Sequence, residues 1–532
     1  MARGSIFNRL KSKKQIERQM QSKQGFQNKI TKNLDDNVNN IKQMLGNPSD
    51  LVVRELIIGG VDKRAAVIYI SGITDEELIN KNILQSIQLN LKEFETNVLD
   101  NIHKEVIAIT DIKRTNNLDD VSFAILNGNT AFYLDGLEEV LIMGTTGGES
   151  RSITEPESET LIRGPRDGFV ENINTNIALI RRDIKDPNLR FKQHEVGKRS
   201  KQQLVVCYVE GITNPELVDE INRRLETMDI DYVPDSSVVE QWIEESFLSP
   251  FPQILDTERP DRVSANLMQG KVGIIVDGTP FALIAPVTIG DAMYSTEDYT
   301  QRWISASLLR LLRYLTAFFA VFLPGLFVAL VSYHPGMIPS TLAYSIAATR
   351  EGVPFPAPVE AILMALTFEI LHEAGVRLPK VVGQTIGIVG GLVIGEAAVS
   401  AGIVSPIMVI VTALTAISSF SVPSYSMAIA FRALRFANIL AASFLGLYGV
   451  ILVYIMMNIH IVNLKSIGVP YSTPFAPTFW KDLKDIVIRA PITKLTTRPA
   501  YLKAKDEVSK DIQIEEKTTK KKSTGILSRR KK

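Results

Sequence analysis

Five ionisable side chains lie within strongly apolar surroundings: Glu360, Glu369, His372, Glu373 and Glu396. A charge at mid-bilayer costs about 2.5–3.5 kcal/mol on insertion scales, so each must face protein, water or the membrane edge. Glu369, His372 and Glu373 share one helical face, which could suit a metal ion. With a single imidazole among them, hydrogen bonding between helices or an aqueous lining is the better account. In SPIMVIVTALTAISSFSVPS the hydroxyls Thr412, Thr415 and Ser419 recur at i, i+3 and i+7. A stripe of small hydroxyls either glues helices together or walls a narrow pore, with Met408 and Val411 placed to supply a hydrophobic gate.

Other chemistry is poorly supplied. The single cysteine, Cys207, lies in the apolar run LVVCYV, so neither a disulfide framework nor a cysteine metal cluster is available. It reads as a buried strand residue. The glycines from Gly144 to Gly148 are not followed by the Gly-Lys-Ser/Thr of a phosphate loop. No set of nucleophile, base and orienting group emerges, and no cofactor is expected.

These residues need elements to hold them. Residues 315–349, 397–431 and 436–464 contain no Asp, Glu, Lys or Arg, and each run is long enough for a membrane-crossing helix. The pattern predicts an all-α multi-span domain with spans over 315–333, 358–375, 382–403, 405–423 and 437–460, and a re-entrant segment near 337–349. Trp303, Arg310 and Arg313 precede the first span as an aromatic anchor and positive-inside charges. Gly383, Gly387, Gly391 and Gly395 lie on one face, where another helix can approach closely. Five spans place the C-terminal tail opposite the soluble domain, against the preference of its basic charge.

Before the membrane half, residues 50–290 contain a repeat. AAVIYISGITDEEL (from Ala65) matches QLVVCYVEGITNPEL (from Gln203), and LNGNTAFYLDGLEEVLI (from Leu126) matches MQGKVGIIVDGTPFALI (from Met268). Each copy reads as a β-branched strand, a helix opened by a capping box (Thr74 with Glu77, Thr213 with Glu216), and a hairpin turning at Asp135-Gly136 or Asp277-Gly278. Two tandem α/β modules of thioredoxin-like topology follow, without the Cys-x-x-Cys of redox chemistry. Between them the helical pattern Phe169–Ile184 either packs as a connector or, through Arg163, Arg166, Asp167, Arg181 and Arg182, docks on a neighbouring subunit.

The expected divisions are a basic arm (1–48), module one (49–145), a connector (146–200), module two (201–300), the membrane domain (301–464), a juxtamembrane segment (465–490) and a basic tail (491–532). The arm and tail sum to +15 against a total of +1, so residues 49–490 carry −14. An acidic domain is a poor nucleic-acid partner, whereas basic tails suit solvation or anionic lipid. MARGSIFNRLKSKKQ contains no secretory-type apolar run, so the soluble domain is expected in the cytoplasm.

LIRGPRDGFVENINTNIALIRRDIKDPNLR, LLRYLTAFFAVFLPGLFVALVSYHPGMIP, REGVPFPAPVEAILMALTFEILHEAGVRLPK, GQTIGIVGGLVIGEAAV and VPSYSMAIAFRALRF together resemble the A subunits of GerA-type nutrient receptors of endospore-forming bacteria. The likeness covers residues from about 48 to about 490 and leaves out the tails. It implies a place in the inner membrane of the spore, beside a transporter-like B subunit that senses nutrient and a lipoprotein C subunit. It also implies a ring of copies, expected to be pentameric, around a channel for monovalent cations. On that implication Thr412, Thr415 and Ser419 become candidate pore lining and RGPRDGF a bridge between subunits. The alternatives are a secondary transporter, disfavoured because the repeat lies in the soluble half, and a non-conducting scaffold.

Overall fold

Two copies of one folding unit precede a helical bundle in the computed structural model, which describes residues 29–58, 63–87, 109, 111–147, 155, 156, 159–161, 163–377 and 393–509. The first unit runs α1 (Leu34–Leu45), β1 (Leu51–Ile58), β2 (Lys63–Ile70), a helical turn Glu76–Leu78 passing into a π-helical stretch Ile79–Gln85, β3 (Ile112–Thr115), α2 (Leu118–Leu126), β4 (Thr130–Leu134) and β5 (Val140–Met143). The second runs α3 (Ile173–Asp183), β6 (Leu189–Val196), β7 (Gln202–Val209), α4 (Pro215–Glu226), α5 (Ser236–Ile243), β8 (Leu255–Thr257), α6 (Pro260–Gln269), β9 (Val272–Val276) and β10 (Ala282–Ala285). The sheets have equivalent orders, β1-β2-β4-β5-β3 and β6-β7-β9-β10-β8.

Every ladder in both sheets is antiparallel, which departs from the mixed sheet of the expected thioredoxin-like topology. The central strands β4, β9 and β10 are buried along their whole length. Helices cover both faces, so successive residues of β7 enter opposite cores: Val205, Cys207 and Val209 pack with Ile177, Ile180 and Leu267, while Leu204 and Val206 pack with Ile221, Leu225 and Val239. Cys207 is thus the buried strand residue expected, its thiol pushed up to about 12 by burial.

The repeat starts earlier than the sequence reading placed it. Asn33 caps α1 and Asn172 caps α3. The first helical N–H of each is taken by the hairpin aspartate, Leu34 by Asp135 and Ile173 by Asp277, both at 3.1 Å. Asn37 and Asn176 each bond both backbone groups of the residue six positions earlier, Thr31 and Val170. Hence α1, assigned to the basic arm, belongs to the first module, and α3, assigned to the connector, opens the second. Gly136 (φ 86°) and Gly278 (φ 81°) turn the hairpins in the conformation that Asp-Gly was chosen for. The helix caps fall one residue beyond the expected threonines: Asp75 accepts from Leu78 N–H and Asn214 from Glu216 N–H. Thr74 and Thr213 are buried instead.

A buried ion pair joins the modules. Arg181 of α3 grips Asp50 through Nε (2.8 Å) and Nη2 (3.1 Å), and its guanidinium lies 4.7 Å from the Phe191 ring centroid. Arg190 reaches the carbonyl of Leu45, and Arg182 that of Gly147.

The helical half contains α7 (Trp303–Tyr333), α8 (Ser340–Arg350), α9 (Ala357–Arg377), a helical run at 393–400, α10 (Pro406–Phe420), α11 (Tyr425–Leu445) and α12 (Leu447–Asn463). By length and composition α7 and α11 can each cross a membrane. The span expected over 437–460 is broken. Gly446 (φ 59°, ψ −137°) separates α11 from α12, and α11 begins early enough to include Arg432 and Arg435.

This break reverses the direction of the chain. Ser426 at the start of α11 meets Asp256, and His460 near the end of α12 meets Ser249, so this hairpin leaves and returns to the second module. The strands β11 (Lys465–Ser466) and β12 (Val469–Pro470) and the chain beyond then fold back onto that module. Tyr501 and Leu502 enter its core, and Lys505 N–H donates to the Ile212 carbonyl (2.9 Å). Residues 491–509 of the expected free tail are therefore docked, on the same side as the soluble domain.

Candidate functional site

Pro324 lies inside α7, where its ring removes one backbone donor and strains the preceding turn. Asn438 of α11 answers this, donating through Nδ2 to the carbonyls of Val321 (3.1 Å) and Phe322 (3.3 Å). Gly325 allows the approach, because a Cβ there would lie 2.4 Å from that amide nitrogen. A proline in a span needs such a neighbouring donor, the one hint of Asn438 that the sequence offers.

Where α7 enters the second module, charges are buried together. Arg310 Nε contacts Asp298 Oδ2 at 2.8 Å, Arg313 Nη1 contacts the same oxygen at 3.0 Å, and Arg310 also bonds the carbonyl and carboxylate of Asp485. Tyr299 donates to Asp485 (2.7 Å), and the Arg310 and Arg489 guanidinium groups lie 5.4 and 5.3 Å from its ring centroid. Burial raises the Asp485 carboxyl above its usual range and holds the Tyr299 phenol well above its own. Arg310, expected as a positive-inside charge, is 1% exposed and serves as a junction. Its acidic partners carry no spacing signal, since Asp485 is 175 residues away.

Within the bundle the ionisable residues divide. Glu360 is fully buried, paired with Arg350 (2.9 Å) and accepting from both the backbone and the hydroxyl of Ser405. Glu369 joins α9 to α11 through Arg432 (3.1 Å) and Arg435 (3.0 Å), both of which lie within α11, although the expected spans 405–423 and 437–460 leave them between helices. His372 packs 5.4 Å from the Phe420 ring, and Glu373 turns outward to Arg377. Glu369, His372 and Glu373 therefore point to three different neighbours and do not converge on one ion. Glu396 is exposed.

The hydroxyl stripe faces inward. Met408, Thr412, Thr415 and Ser419 are buried, and Val411 half-buried, within a helix packed extensively on α7. Thr412 bonds the Met408 carbonyl (2.8 Å), Thr415 that of Val411 (2.7 Å) and Ser419 that of Ala416 (2.7 Å). Hydroxyls satisfied by their own helix can sit in a dry contact, and within this one chain the stripe lies on the buried side of α10. Gly383, Gly387 and Gly391 lie outside the described residues. Gly395 is buried, where a Cβ would meet Val409 at 3.4 Å.

Of the suggested subunit contacts, Arg163, Arg166 and Asp167 are exposed, with Arg166 3.7 Å from Glu155. Arg181 is spent on Asp50 within the chain, and Arg182 is half-buried at the module boundary.

Residues 39–501 match the family described as Bacillus/Clostridium GerA spore germination protein. Spore germination protein GerLA of Bacillus cereus is 48% identical over 474 residues, covering 89% of this chain and 96% of that protein. Spore germination protein KA of Bacillus subtilis is 43% identical over 480 residues, covering 90% and 88%. The crystal structure of the N-terminal domain of the A subunit of the Bacillus megaterium germinant receptor GerK3 aligns at 35% identity and TM-score 0.40, covering 48% of this chain and 96% of that one. A family match over most of the chain, with near full-length relatives, means that the chain belongs to the GerA family of spore germination proteins.

Proposed function

We propose that the chain is the A subunit of a germinant receptor in the inner membrane of the spore, with its modules in the cytoplasm. In this reading copies of the chain form a ring, pentameric on the family resemblance, that conducts monovalent cations. Nutrient is sensed by a transporter-like B subunit, with a lipoprotein C subunit completing the complex. The observation that carries the proposal is the Arg310 junction. With Asp298 buried and Asp485 half-buried around it, Arg310 ties the end of the second module to α7, and a signal received on the soluble side has a direct path into the bundle. The exposed Arg163, Arg166 and Asp167 are its contact to a neighbouring copy.

The ion path must use a face that one chain leaves uncovered. We assign it to α8, where Thr341, Ser345 and Thr349 are exposed at four-residue spacing, instead of the inward Thr412 stripe. The test is potassium release from liposomes carrying the full receptor complex. Nutrient should trigger release, and Ser345→Lys should suppress it while nutrient binding persists. An assembled, nutrient-binding complex that releases no cation would favour the scaffold reading, which the closely packed α7–α10 contact also suits.

A further inference from the structure

Phe247 and Leu248 are the most exposed large apolar side chains among the described residues, at 88% and 81%. They form the tip of a loop held tightly on either side. Ser249 Oγ lies 2.8 Å from His460 Nε2, the Phe251 ring stacks 5.9 Å from the same imidazole, and Glu245 accepts from Gly468 N–H at 2.6 Å. Farther along, Asp256 accepts from Ser426 at the start of α11. The loop is thus pinned where α11 begins and α12 ends. Along α12, Ile451, Ile455, Ile459 and Val462 form an exposed apolar stripe that runs up to this level.

We propose that the 245–249 loop is a membrane anchor, with Phe247 and Leu248 inserted into the boundary between headgroups and acyl chains of the bilayer that surrounds α12. The inference rests on reading the helical half as a membrane domain and adds a contact from the soluble half. Continuity with the α12 stripe selects lipid as the occupant. A protein partner is the poorer fit, because two side chains bury roughly 300 Å², well short of the ~800 Å² per side of a stable interface. In lipid no partner surface is required, since an apolar tip gains by leaving water alone. Anchored there, the second module is held against the membrane at a point separate from the Arg310 junction, which limits its tilt.

The test uses the full-length chain in phosphatidylcholine nanodiscs, with a bimane fluorophore on Leu248→Cys. Buried Cys207 stays unlabelled. A second sample carries the label at Phe247→Cys, and a reference sample at Ile455→Cys on the α12 stripe. Shallow nitroxide-labelled phosphatidylcholine should remove most of the emission at all three positions, while aqueous iodide should remove little. Quenching at residue 455 with none at 247 or 248 overturns the anchor and leaves the membrane reading intact. Absence of quenching at all three removes both.

Discussion

The two modules share a fold but complete it differently. In module one the carbonyl of Ile73, inside the Gly-Ile-Thr turn, accepts from Gly147 N–H (3.1 Å), supplied by the chain directly after β5. In module two the equivalent carbonyl of Ile212 accepts from Lys505 N–H (2.9 Å), which arrives only after the whole helical bundle. After β10 the chain has turned instead into the buried Lys271–Asp291 pair and the approach to α7. One backbone requirement thus has a local answer in one copy and a remote answer in the other. Module one is a peripheral unit, while module two is stitched to the helical half at both ends of the bundle.

The strongest way to break this asymmetry is Arg310→Ala, which leaves buried Asp298 with Arg313 alone and Asp485 with the Tyr299 hydroxyl. Removing one partner of a buried pair costs about 3–5 kcal/mol. Thermal unfolding of the solubilised protein should show a large loss, with module two and the bundle becoming protease-sensitive together. Asp50→Ala, which leaves Arg181 unpaired, should cost a similar amount at the module boundary and leave the bundle melting unchanged; coupled melting would contradict a peripheral module one. Leu502→Ala should destabilise module two by about 2–3 kcal/mol and spare module one, read by hydrogen exchange in each sheet.

The smallest effect depends on pH. Glu240 on α5 is pushed up to about 8, first by burial and then by Asp256, Glu244 and Asp235. Because its proton is held more tightly folded than unfolded, stability should fall as pH rises from the ordinary glutamate range towards 8. Glu240→Gln should flatten that slope by a few degrees in Tm for module two, and the melting of module one should show no such change.

Much of this was legible in the chain. Hairpins at Asp135-Gly136 and Asp277-Gly278, the buried strand at Cys207 and the apolar helices follow from local pattern, because turn chemistry and periodicity act over a few residues. The true start of the repeat also had a signal that went unused: Asn33-Leu34-x-x-Asn37 recurs as Asn172-Ile173-x-x-Asn176. The ion pairs were not legible. Asp50 with Arg181, Arg310 with Asp485 and Glu369 with Arg435 join residues 131, 175 and 66 positions apart, and no local rule encodes such partners. Hydropathy joined α11 and α12 into one span because Gly446 breaks the backbone without interrupting the apolar run. The Thr412 stripe was visible in outline only, since spacing fixes a face without saying what that face meets.

The docking of Lys505 also sets an order of manufacture. A ribosome releases both β-sheets long before it makes residue 505, so the first copy can close as soon as it emerges. The second stays one strap short until every apolar helix has been made. Completion of that copy therefore reports that the whole bundle has been synthesised, and a chain stalled midway would carry an incomplete second module for quality-control proteases.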